Sequence, residues 1–323
     1  MAARSGTEVP VRHQRAGGRA GAATARWGPR ARENIAGYAF LLPWFTGLIV
    51  IVAGPLIASL VLSFTDYNAS GTPRFTGISN YSRALTNDPQ FWSAVKVTLT
   101  YVAVSVPLVV CVALGLAVLL DKGVRGLAIY RATLYLPTLM GGSVAIALLW
   151  QHIFGATGLV NYALGVIGIH TTISWVGTPG TALYTLVALH LWAFGSTMII
   201  FLAGLRQIPQ SLYEAAELDG AGAWRRFVHI TLPTLSPLIL FGTVLNTIFA
   251  FQAFNSAYVV SNGTGGPADS TLFYTLYIYQ RGFVDFNLGY ASALGWILIV
   301  GIAVAAALIF RLSRRWIFYG DQS

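Results

Sequence analysis

The chain has 323 residues, of which 55% are hydrophobic and only 10% charged, against roughly 25% charged in an ordinary soluble domain. Apolar stretches of about 20 residues recur along it, and that length crosses roughly 30 Å of hydrocarbon as an α-helix. The net charge of +9 does not indicate nucleic-acid binding, because the basic residues lie between the apolar stretches and not among exposed aromatic side chains. The single cysteine, Cys111, excludes an internal disulfide.

The first 37 residues predict a disordered, basic cytoplasmic tail. Residues 1–32 hold seven arginines among many Gly and Ala residues and contain little that is apolar. The apolar stretch that begins at Tyr38 is about 27 residues long, which is too long for the core of a cleavable signal peptide. Residues 313–323 predict a second, shorter cytoplasmic tail.

Six membrane spans are predicted, and the prolines and glycines inside several of them favour kinks and close helix contacts over breaks. Their approximate bounds are 38–64, 97–120, 134–154, 181–205, 235–260 and 288–310. We therefore expect an all-α membrane protein in which residues 38–96 form the first span and an external loop, and residues 97–312 form a core of five spans.

The basic residues predict the orientation. Sixteen of the twenty Lys and Arg residues fall in one set of tails and connections, and four fall in the opposite set. Because basic residues concentrate on the cytoplasmic side, both termini are expected in the cytoplasm. The external loops are then near 65–96, 155–180 and 261–287.

The connection between spans four and five carries its own helix signals. Ser211 and Glu214 form a capping-box pattern, and Gly220 suits the left-handed geometry that ends a helix. We therefore predict a short two-turn helix within 211–220, with small apolar residues that permit close approach of a partner and acidic residues beside them. The alternative is an interfacial amphipathic helix in which Glu214 only caps its own helix.

The same connection resembles the EAA motif of ATP-driven importer permeases, in which Glu-Ala-Ala is followed at fixed intervals by Gly and by Ile-x-Leu-Pro. Here the motif begins at Glu214. The resemblance implies that residues 211–220 form a coupling helix that sits in a cleft of a separate ATP-hydrolysing subunit. The residues that it assigns to coupling are Ser211, Tyr213, Glu214, Ala215, Ala216, Leu218, Asp219, Gly220, Ile230, Leu232 and Pro233.

From about Tyr38 to Arg315 the chain is similar to the maltose-type sugar branch of these permeases. The likeness rests on short phrases in a fixed order, among them Phe40-Leu-Leu-Pro43, Gly77-Ile-Ser-Asn80-Tyr81, Phe91-Trp92, Gly265-Gly266-Pro267 and Leu288-Gly289-Tyr290-Ala291-Ser292-Ala293. The resemblance implies a type I ABC importer permease bundle in the bacterial cytoplasmic membrane. It also implies a second homologous permease, two ATP-binding subunits that hold ATP and Mg, and an extracytoplasmic solute-binding protein for a sugar.

Polar groups inside span five are the candidates for a solute path. The amides of Asn246, Gln252 and Asn255 can exchange hydrogen bonds with sugar hydroxyls, and the rings of Phe254 and Tyr258 can stack on a pyranose. The alternative is that the amides join helices within the membrane and the aromatic rings fill the bundle.

Two further observations concern a second candidate pair in span four and the motifs of enzymes. In span four, His190 and Trp192 are a second candidate pair for the path, although helix–helix contact is the favoured interpretation for them. Neither lysine, Lys96 or Lys122, ends a Gly-x-x-x-x-Gly-Lys loop, and no metalloprotease or hydrolase motif occurs. We therefore expect a chain that is not an enzyme and that holds no cofactor or metal.

The favoured function is half of the translocation path of an ATP-driven importer for a sugar or oligosaccharide. An ion-gradient-driven secondary transporter is the alternative, but the predicted spans lack the acidic and basic residues that such a transporter uses. Glycerol phosphate importers share this permease type. A phosphate would favour Arg or Lys along the path, and span five has neither.

Overall fold

The computed structural model of the protein describes residues 29–121, 126–140 and 142–314. The tail predicted for residues 1–28, and the predicted C-terminal tail after residue 314, lie outside the described residues. The chain forms two compact units, Met1–Leu56 and Ile57–Ser323.

The first unit is helical. Helix α1 (Pro29–Gly47) is followed by a π-helical turn (Leu48–Ala53) and by α2 (Gly54–Ser63), which begins in this unit. The prediction of disorder up to residue 37 is therefore wrong from residue 29 onward, because Pro29 suits the first helical position and good helix formers follow it. Apolar side chains here are largely exposed, as in Phe40 at 88%, which is typical of a surface that faces lipid.

The second unit contains most of the helices. In chain order its elements are β1 (Thr65–Asp66), β2 (Arg74–Phe75), α3 (Ser79–Thr86), α4 (Pro89–Asp121), α5 (Leu127–Met140), α6 (Val144–Ile153), α7 (Leu159–Val166), α8 (Pro179–Trp192), α9 (Gly195–Leu205), α10 (Gln210–Leu218), α11 (Ala223–Arg226), α12 (Leu232–Phe251), α13 (Asn255–Val260), α14 (Tyr274–Tyr279) and α15 (Leu288–Ser313). π-Helical turns lie at Phe227–Thr231 and Gln280–Val284. Apart from the short antiparallel pair of β1 and β2, the described elements are helical.

Four helices in the described part of the chain are long and apolar enough to cross a membrane. They are Gly37–Ser63, Pro89–Asp121, Ala223–Val260 and Leu288–Ser313. Two bent helix pairs also meet these criteria, α5 with α6 and α8 with α9, so the number of candidate spans is four, or up to six if each pair is one span.

Helix α4 lies at the centre of the second unit and packs against α8, α9 and α12. Its buried residues recur every three or four positions, which is the period of a helix with one packed face. They include Phe91, Ala94, Thr98, Tyr101, Ser105, Val109, Ala113, Ala117 and Leu120. The core is therefore formed largely by side chains of α4 and of the helices around it.

Helix α4 begins at Pro89, eight residues before the start predicted for span two at Val97. Asp88 precedes it, and its Oδ1 accepts the backbone N–H groups of Gln90 at 3.1 Å and Phe91 at 3.2 Å. An aspartate in this role, with proline at the first helical position, is a strong helix start. The first turns of α4 were missed because they are less apolar than a membrane span.

Spans three, four and five are interrupted, although the sequence predicted a kink and not a break in span three and continuous helices for spans four and five. Helices α5 and α6 meet at an angle of 99°, with residue 141 outside the described residues, and α8 and α9 meet at 44°. Helices α12 and α13 are separated by the non-helical residues 252–254. At the second break Gly195 permits a close approach, because a Cβ there would lie 2.5 Å from the hydroxyl of Thr138 in α5.

Candidate functional site: a solvent-exposed loop and a membrane cavity

Helix α10 occupies the segment for which a two-turn helix was predicted, but its start differs from the prediction. It begins at Gln210, its N-cap is Pro209, and no side chain caps it. The prediction that Ser211 and Glu214 form a capping box is therefore wrong. With Pro209 as the N-cap, Ser211 already lies within the first turn, past the position from which a side chain reaches the free N–H groups.

The end of α10 at Gly220 confirms the prediction from the sequence. Gly220 has a φ of +74°, in the left-handed region where a residue with a Cβ is strained. The N–H of Gly220 donates to the carbonyl of Glu217 at 3.0 Å, and the N–H of Ala221 donates to the carbonyl of Ala216 at 2.8 Å. These two bonds are the Schellman motif, which fixes the direction in which the chain leaves the helix.

After this turn the chain runs back to α12, and two side-chain contacts stabilise the connecting segment. Arg226 forms an ion pair with Glu217 at 3.1 Å across the turn. The hydroxyls of Tyr213 and Thr231 are 2.8 Å apart, so α10 is tied to the start of α12. Of the remaining predicted coupling residues, Ile230 is half-buried in the π-helical turn, and Leu232 and Pro233 are half-buried where α12 begins.

The outer surface of α10 is free for a partner within the described structure. Ser211, Glu214, Ala215 and Asp219 are exposed, and Leu218 is 90% exposed. Only two predicted coupling residues of this helix, Tyr213 and Ala216, are half-buried. The loop thus combines an ordered backbone with a small-residue surface that the chain itself leaves uncovered.

A cavity of about 500 Å³ lies among the broken helices. Gly142 and Ser143 line it from the break between α5 and α6, Ala193 lines it from the break between α8 and α9, and the 252–254 segment lines it from the break after α12. Non-helical backbone at membrane depth is tolerated only where it is buried in protein or lines a cavity, and all three breaks satisfy that condition.

Four of the five residues predicted for the solute path line this cavity, namely Asn246, Gln252, Phe254 and Asn255. Tyr258 does not. Its ring stacks on Phe254 at a centroid distance of 5.4 Å and meets Tyr279 edge-on at 5.5 Å. Tyr258 therefore packs against Phe254, which lines the cavity, without lining the cavity itself.

The three amides differ in what they already bind. The Nδ2 of Asn246 donates to the hydroxyl of Thr197 at 2.9 Å and to the carbonyl of Gly242 at 2.8 Å, so it joins α12 to α9. The Nδ2 of Asn255 donates to the carbonyl of Gly142 at 3.4 Å. The side chain of Gln252 is exposed to the cavity and has no hydrogen-bond partner among the described residues.

The two candidate residues in span four have different surroundings. His190 lines the cavity, with its ring edge-on to Tyr101 at 5.8 Å, whereas Trp192 packs against Trp150 at 5.8 Å as a helix contact. Sequence reasoning did not propose Tyr101, Ser143 or Ser196, which also line the cavity. Their polar groups gave no distinct sequence signal, because the inward face of each helix depends on its packing.

The cavity lining carries no formal charge within the described part of the chain. No Asp, Glu, Lys or Arg is among its lining residues. In the described ranges, no three or more His, Cys, Asp or Glu side chains are grouped so that they could hold a metal ion. The groups offered to a solute are therefore amides, hydroxyls, one imidazole and aromatic rings.

Comparison with known proteins identifies the family. Residues 126–318 match the family described as binding-protein-dependent transport system inner membrane component. This chain belongs to that family. The chain is therefore a membrane-spanning subunit of an ATP-driven importer, and the family comparison agrees with its several apolar helices.

Individual relatives extend the match over nearly the whole chain. The probable ABC transporter permease protein YesP of Bacillus subtilis (strain 168) is 46% identical over 291 residues, covering 90% of this chain and 94% of YesP. The lactose transport system permease protein LacF of Rhizobium radiobacter is 36% identical over 298 residues, covering 91% and 99%. These relatives are permeases of the kind that the sequence resembles.

Solved structures match the fold. A bacterial alginate ABC transporter, determined in complex with an alginate pentasaccharide-bound periplasmic protein, contains a chain that aligns with a TM-score of 0.74. The alignment covers 88% of this chain and 96% of that chain at 23% identity. The fold is thus that of an ABC importer permease.

A buried polar cluster around Asp88 was also missed by sequence reasoning. Asp88 Oδ2 accepts hydrogen bonds from the hydroxyls of Tyr277 and, at 2.5 Å, Tyr290, and Arg281 Nε donates to the Tyr277 hydroxyl at 3.0 Å. Burial alone would raise the pKa of the Asp88 carboxyl, but these hydrogen bonds and the nearby Arg281 charge outweigh it and lower that pKa below its usual value. The cluster joins α4, α14 and α15.

The cluster and the α10 loop lie at opposite ends of the permease. Asp88 stands at the start of α4, whereas Asp121 at its end pairs with Arg206 at 3.7 Å, just before α10. A helix of 33 residues is about 50 Å long. Asp88 and the loop are therefore separated by more than the hydrocarbon thickness of a bilayer.

Proposed function

We propose that this chain forms half of the translocation path for a sugar or oligosaccharide. The observation that carries the proposal is the uncharged cavity of about 500 Å³ at the three helix breaks, where the Gln252 amide is free to bind. Its size is in the usual range for small-molecule sites. Amides and hydroxyls suit the hydroxyls of a sugar, and the rings of Phe249 and Phe254 suit its apolar face.

The relatives support this class of solute. They include permeases named for lactose, for arabinooligosaccharides and for trehalose and maltose, at identities of 36%, 32% and 32%. A glycerol phosphate importer is disfavoured, because a phosphate is usually bound by Arg or Lys, and the described cavity lining has neither. Asn246 and Asn255 hold the path together, while Gln252 offers the most freedom to contact a solute.

The topology that we propose has six spans with both termini in the cytoplasm of a bacterial cell. A second homologous permease completes the path, two ATP-binding subunits supply hydrolysis with ATP and Mg, and an extracytoplasmic solute-binding protein delivers the sugar. The chain itself then performs no chemistry and needs no cofactor. It transmits movement through residues 211–220 and through Ile230, Leu232 and Pro233.

The proposed mechanism is alternating access. Closure of the ATP-binding subunits moves α10, and the ties from Tyr213 to Thr231 and from Glu217 to Arg226 carry that movement to α12. Because α12 ends at the cavity, its displacement changes the exposure of Gln252 and opens the path to the outside. Release of the solute into the cytoplasm follows when the subunits separate.

Uptake into proteoliposomes tests the proposal. The complex that copurifies with the tagged chain is reconstituted with its solute-binding protein, and uptake of a labelled sugar panel is measured with ATP or a non-hydrolysable analogue. We expect uptake only with hydrolysable ATP and no effect of ionophores. Uptake that proceeds without ATP and stops when an ion gradient is collapsed would instead support a secondary transporter.

A further inference from the structure

Helix α7 carries its apolar side chains outward and its polar side chain inward. The exposed positions recur every three or four residues and hold Leu159, Tyr162, Ala163 and Val166. The single amide side chain of the helix, Asn161, is buried. A helix on the surface of a protein in water has the opposite arrangement, with its polar face outward. The outer face of α7 therefore suits an apolar medium and not water.

The apolar face continues past the end of α7 into a turn of fixed geometry. Ile167 and Ile169 are 70% and 52% exposed, and Gly168 between them has a φ of +88°. The N–H of Gly168 donates to the carbonyl of Gly165 at 3.1 Å. The N–H of Ile169 donates to the carbonyl of Leu164 at 2.9 Å, which completes a Schellman motif. The helix and the turn thus expose several neighbouring apolar residues together, unlike the singly scattered ones of a surface in water.

Hydrogen bonds of Asn161 attach α7 to the segment that leads into α8. The Nδ2 of Asn161 donates to the carbonyls of Ala156 at 2.8 Å and Ile173 at 2.9 Å. Its Oδ1 accepts a hydrogen bond from the Nε1 of Trp175 at 2.7 Å. The carbonyl of Trp175 in turn accepts from the hydroxyl of Thr181, in the first turn of α8, at 2.7 Å. The polar groups of Asn161 are therefore used within the connection, and α7 is held near the start of α8.

The start of α8 lies at a membrane boundary. Helices α8 and α9, bent by 44°, together have the length and composition of a membrane span, and α10 follows α9 at the other end. Helix α7 therefore lies at the boundary on the side opposite the α10 loop. The surroundings at that level are lipid headgroups and the first carbons of the acyl chains, unless another protein covers the helix.

Charge distinguishes this connection from the other two that are predicted on the same side. Residues 132–205, which include α7 and its flanking turns, contain no Asp, Glu, Lys or Arg, whereas 65–96 contains five and 261–287 contains three. A soluble partner is recognised through a polar rim and complementary charges, which those two connections offer and this one lacks. An uncharged apolar face that includes Tyr162 matches the lipid boundary, where tyrosine is enriched.

We propose that α7 is an interfacial membrane helix, with the side chains of Leu159, Tyr162, Val166 and Ile167 inserted between the lipids of that leaflet. Such helices bury their apolar face about 5–10 Å into the boundary between headgroups and acyl chains. The insertion holds the start of α8 at a fixed depth while α10, at the far end of the same span, moves in the transport cycle. This placement goes beyond the proposed function and holds whichever solute the chain carries.

Spin labelling of the complex in nanodiscs of phosphatidylethanolamine and phosphatidylglycerol tests this placement. With Cys111→Ala as the background, a nitroxide is attached at Tyr162→Cys or at Val166→Cys, and its collision rates with oxygen and with a water-soluble nickel chelate are measured. Oxygen concentrates among acyl chains, whereas the chelate stays in water. We expect the ratio of the oxygen rate to the chelate rate at both positions to exceed the ratio at a water-exposed site by about threefold or more.

Two further labelled positions calibrate the scale. Ser70→Cys lies in the exposed loop between β1 and β2 and reports water, whereas Val300→Cys, at an exposed position of α15, reports hydrocarbon. Ratios at Tyr162 and Val166 that lie between those two, and that do not change when the solute-binding protein is added, support insertion. Ratios equal to that of Ser70 would show that α7 lies in water. Labels shielded from both reagents, before or after that addition, would show that protein covers it. Either result overturns the proposal, and neither bears on ATP-driven uptake.

Discussion

The α10 loop and the cavity are built in opposite ways. In the loop, the decisive contacts join residues close in sequence, such as Glu217 with Arg226 and Tyr213 with Thr231. At the cavity, the hydrogen bond from Asn255 reaches Gly142, 113 positions away, and Asn246 binds Thr197 at a separation of 49. The loop is therefore local and exposed, whereas the cavity exists only once distant spans have packed.

Under the proposed function, this difference divides coupling to the ATP-hydrolysing subunit from selection of the solute within one chain. In that proposal the loop presents a surface to another protein, and short-range hydrogen bonds fix the shape of that surface. The cavity must offer polar groups inside a membrane, which requires that helices break and that neighbouring helices satisfy the freed backbone. Changes in the loop should alter coupling, and changes in the cavity should alter which solute passes and how fast.

The largest effect is expected from Gly220→Pro. Proline fixes φ near −65° and has no N–H, so it cannot adopt the +74° of Gly220 or donate to Glu217. With a cost of about 3 kcal/mol, ATP-driven uptake should fall by roughly 100-fold, while sugar binding by the external protein stays unchanged. Gly222→Pro is the control, because Gly222 already has a φ of −65°. Normal transport by Gly220→Pro would contradict the coupling role of the loop.

The next largest effect is expected at the buried cluster around Asp88, whose hydrogen bonds join residues that are distant in the sequence. Asp88→Asn removes the charge that accepts from Tyr277 and Tyr290, and hydrogen bonds to charged groups contribute about 1.5–3 kcal/mol. We expect the free energy of unfolding in detergent to fall by about that amount. Thr86→Ala, which removes an exposed local hydrogen bond in α3, should change it far less.

The pH dependence of that difference provides a second test. The pKa of Asp88 is lower in the folded protein than in the unfolded chain, so its stabilisation is fully present above the unfolded value and is lost as pH falls through the folded value. The wild type should therefore lose its advantage over Asp88→Asn on acidification. A constant difference across that range would show that the carboxylate charge is not what stabilises the cluster.

A change in the cavity sharpens its proposed role. Gln252→Leu keeps the approximate volume but removes the amide that has no partner among the described residues. We expect uptake from saturating loaded binding protein to fall by about tenfold, which corresponds to one or two lost hydrogen bonds of about 1 kcal/mol each. ATP hydrolysis stimulated by the binding protein should continue.

Gln151→Leu is the matched control for that experiment. Gln151 lies in α6 but does not line the cavity, so the same change of side chain should leave uptake within about twofold of the wild type. Equal losses in both variants would show that membrane glutamines matter for packing and not for solute contact.

The smallest effect is expected from Glu217→Gln. Its partner Arg226 is half-buried, but Glu217 is 72% exposed, and such pairs contribute about 0.2–1 kcal/mol. Stimulated ATP hydrolysis should fall by less than about fivefold, and the loss should shrink in high salt because exposed charges are screened. A double-mutant cycle with Arg226→Gln measures the coupling, and a value near zero would leave the Schellman turn as the main constraint on the loop.

Several features followed from the sequence because their causes are local. The two-turn helix and its glycine end were predicted correctly, as were the membrane class and the family resemblance. The capping box failed because Pro209 starts the helix earlier. The start of α4 at Pro89 was recoverable from the Asp-Pro pair, whose capping signal was obscured by the search for apolar stretches.

The sequence by itself determined that the chain spans a membrane, which family it resembles, and how the α10 loop turns, since composition and short-range hydrogen bonding are properties of neighbouring residues. Only the tertiary structure decided that three spans break at one cavity, that Gln252 is left free while Asn246 is bound, and that Tyr258 lies behind Phe254. Those outcomes depend on which helix faces pack together, because a polar side chain in a span gains or loses its partner through residues far away in the chain.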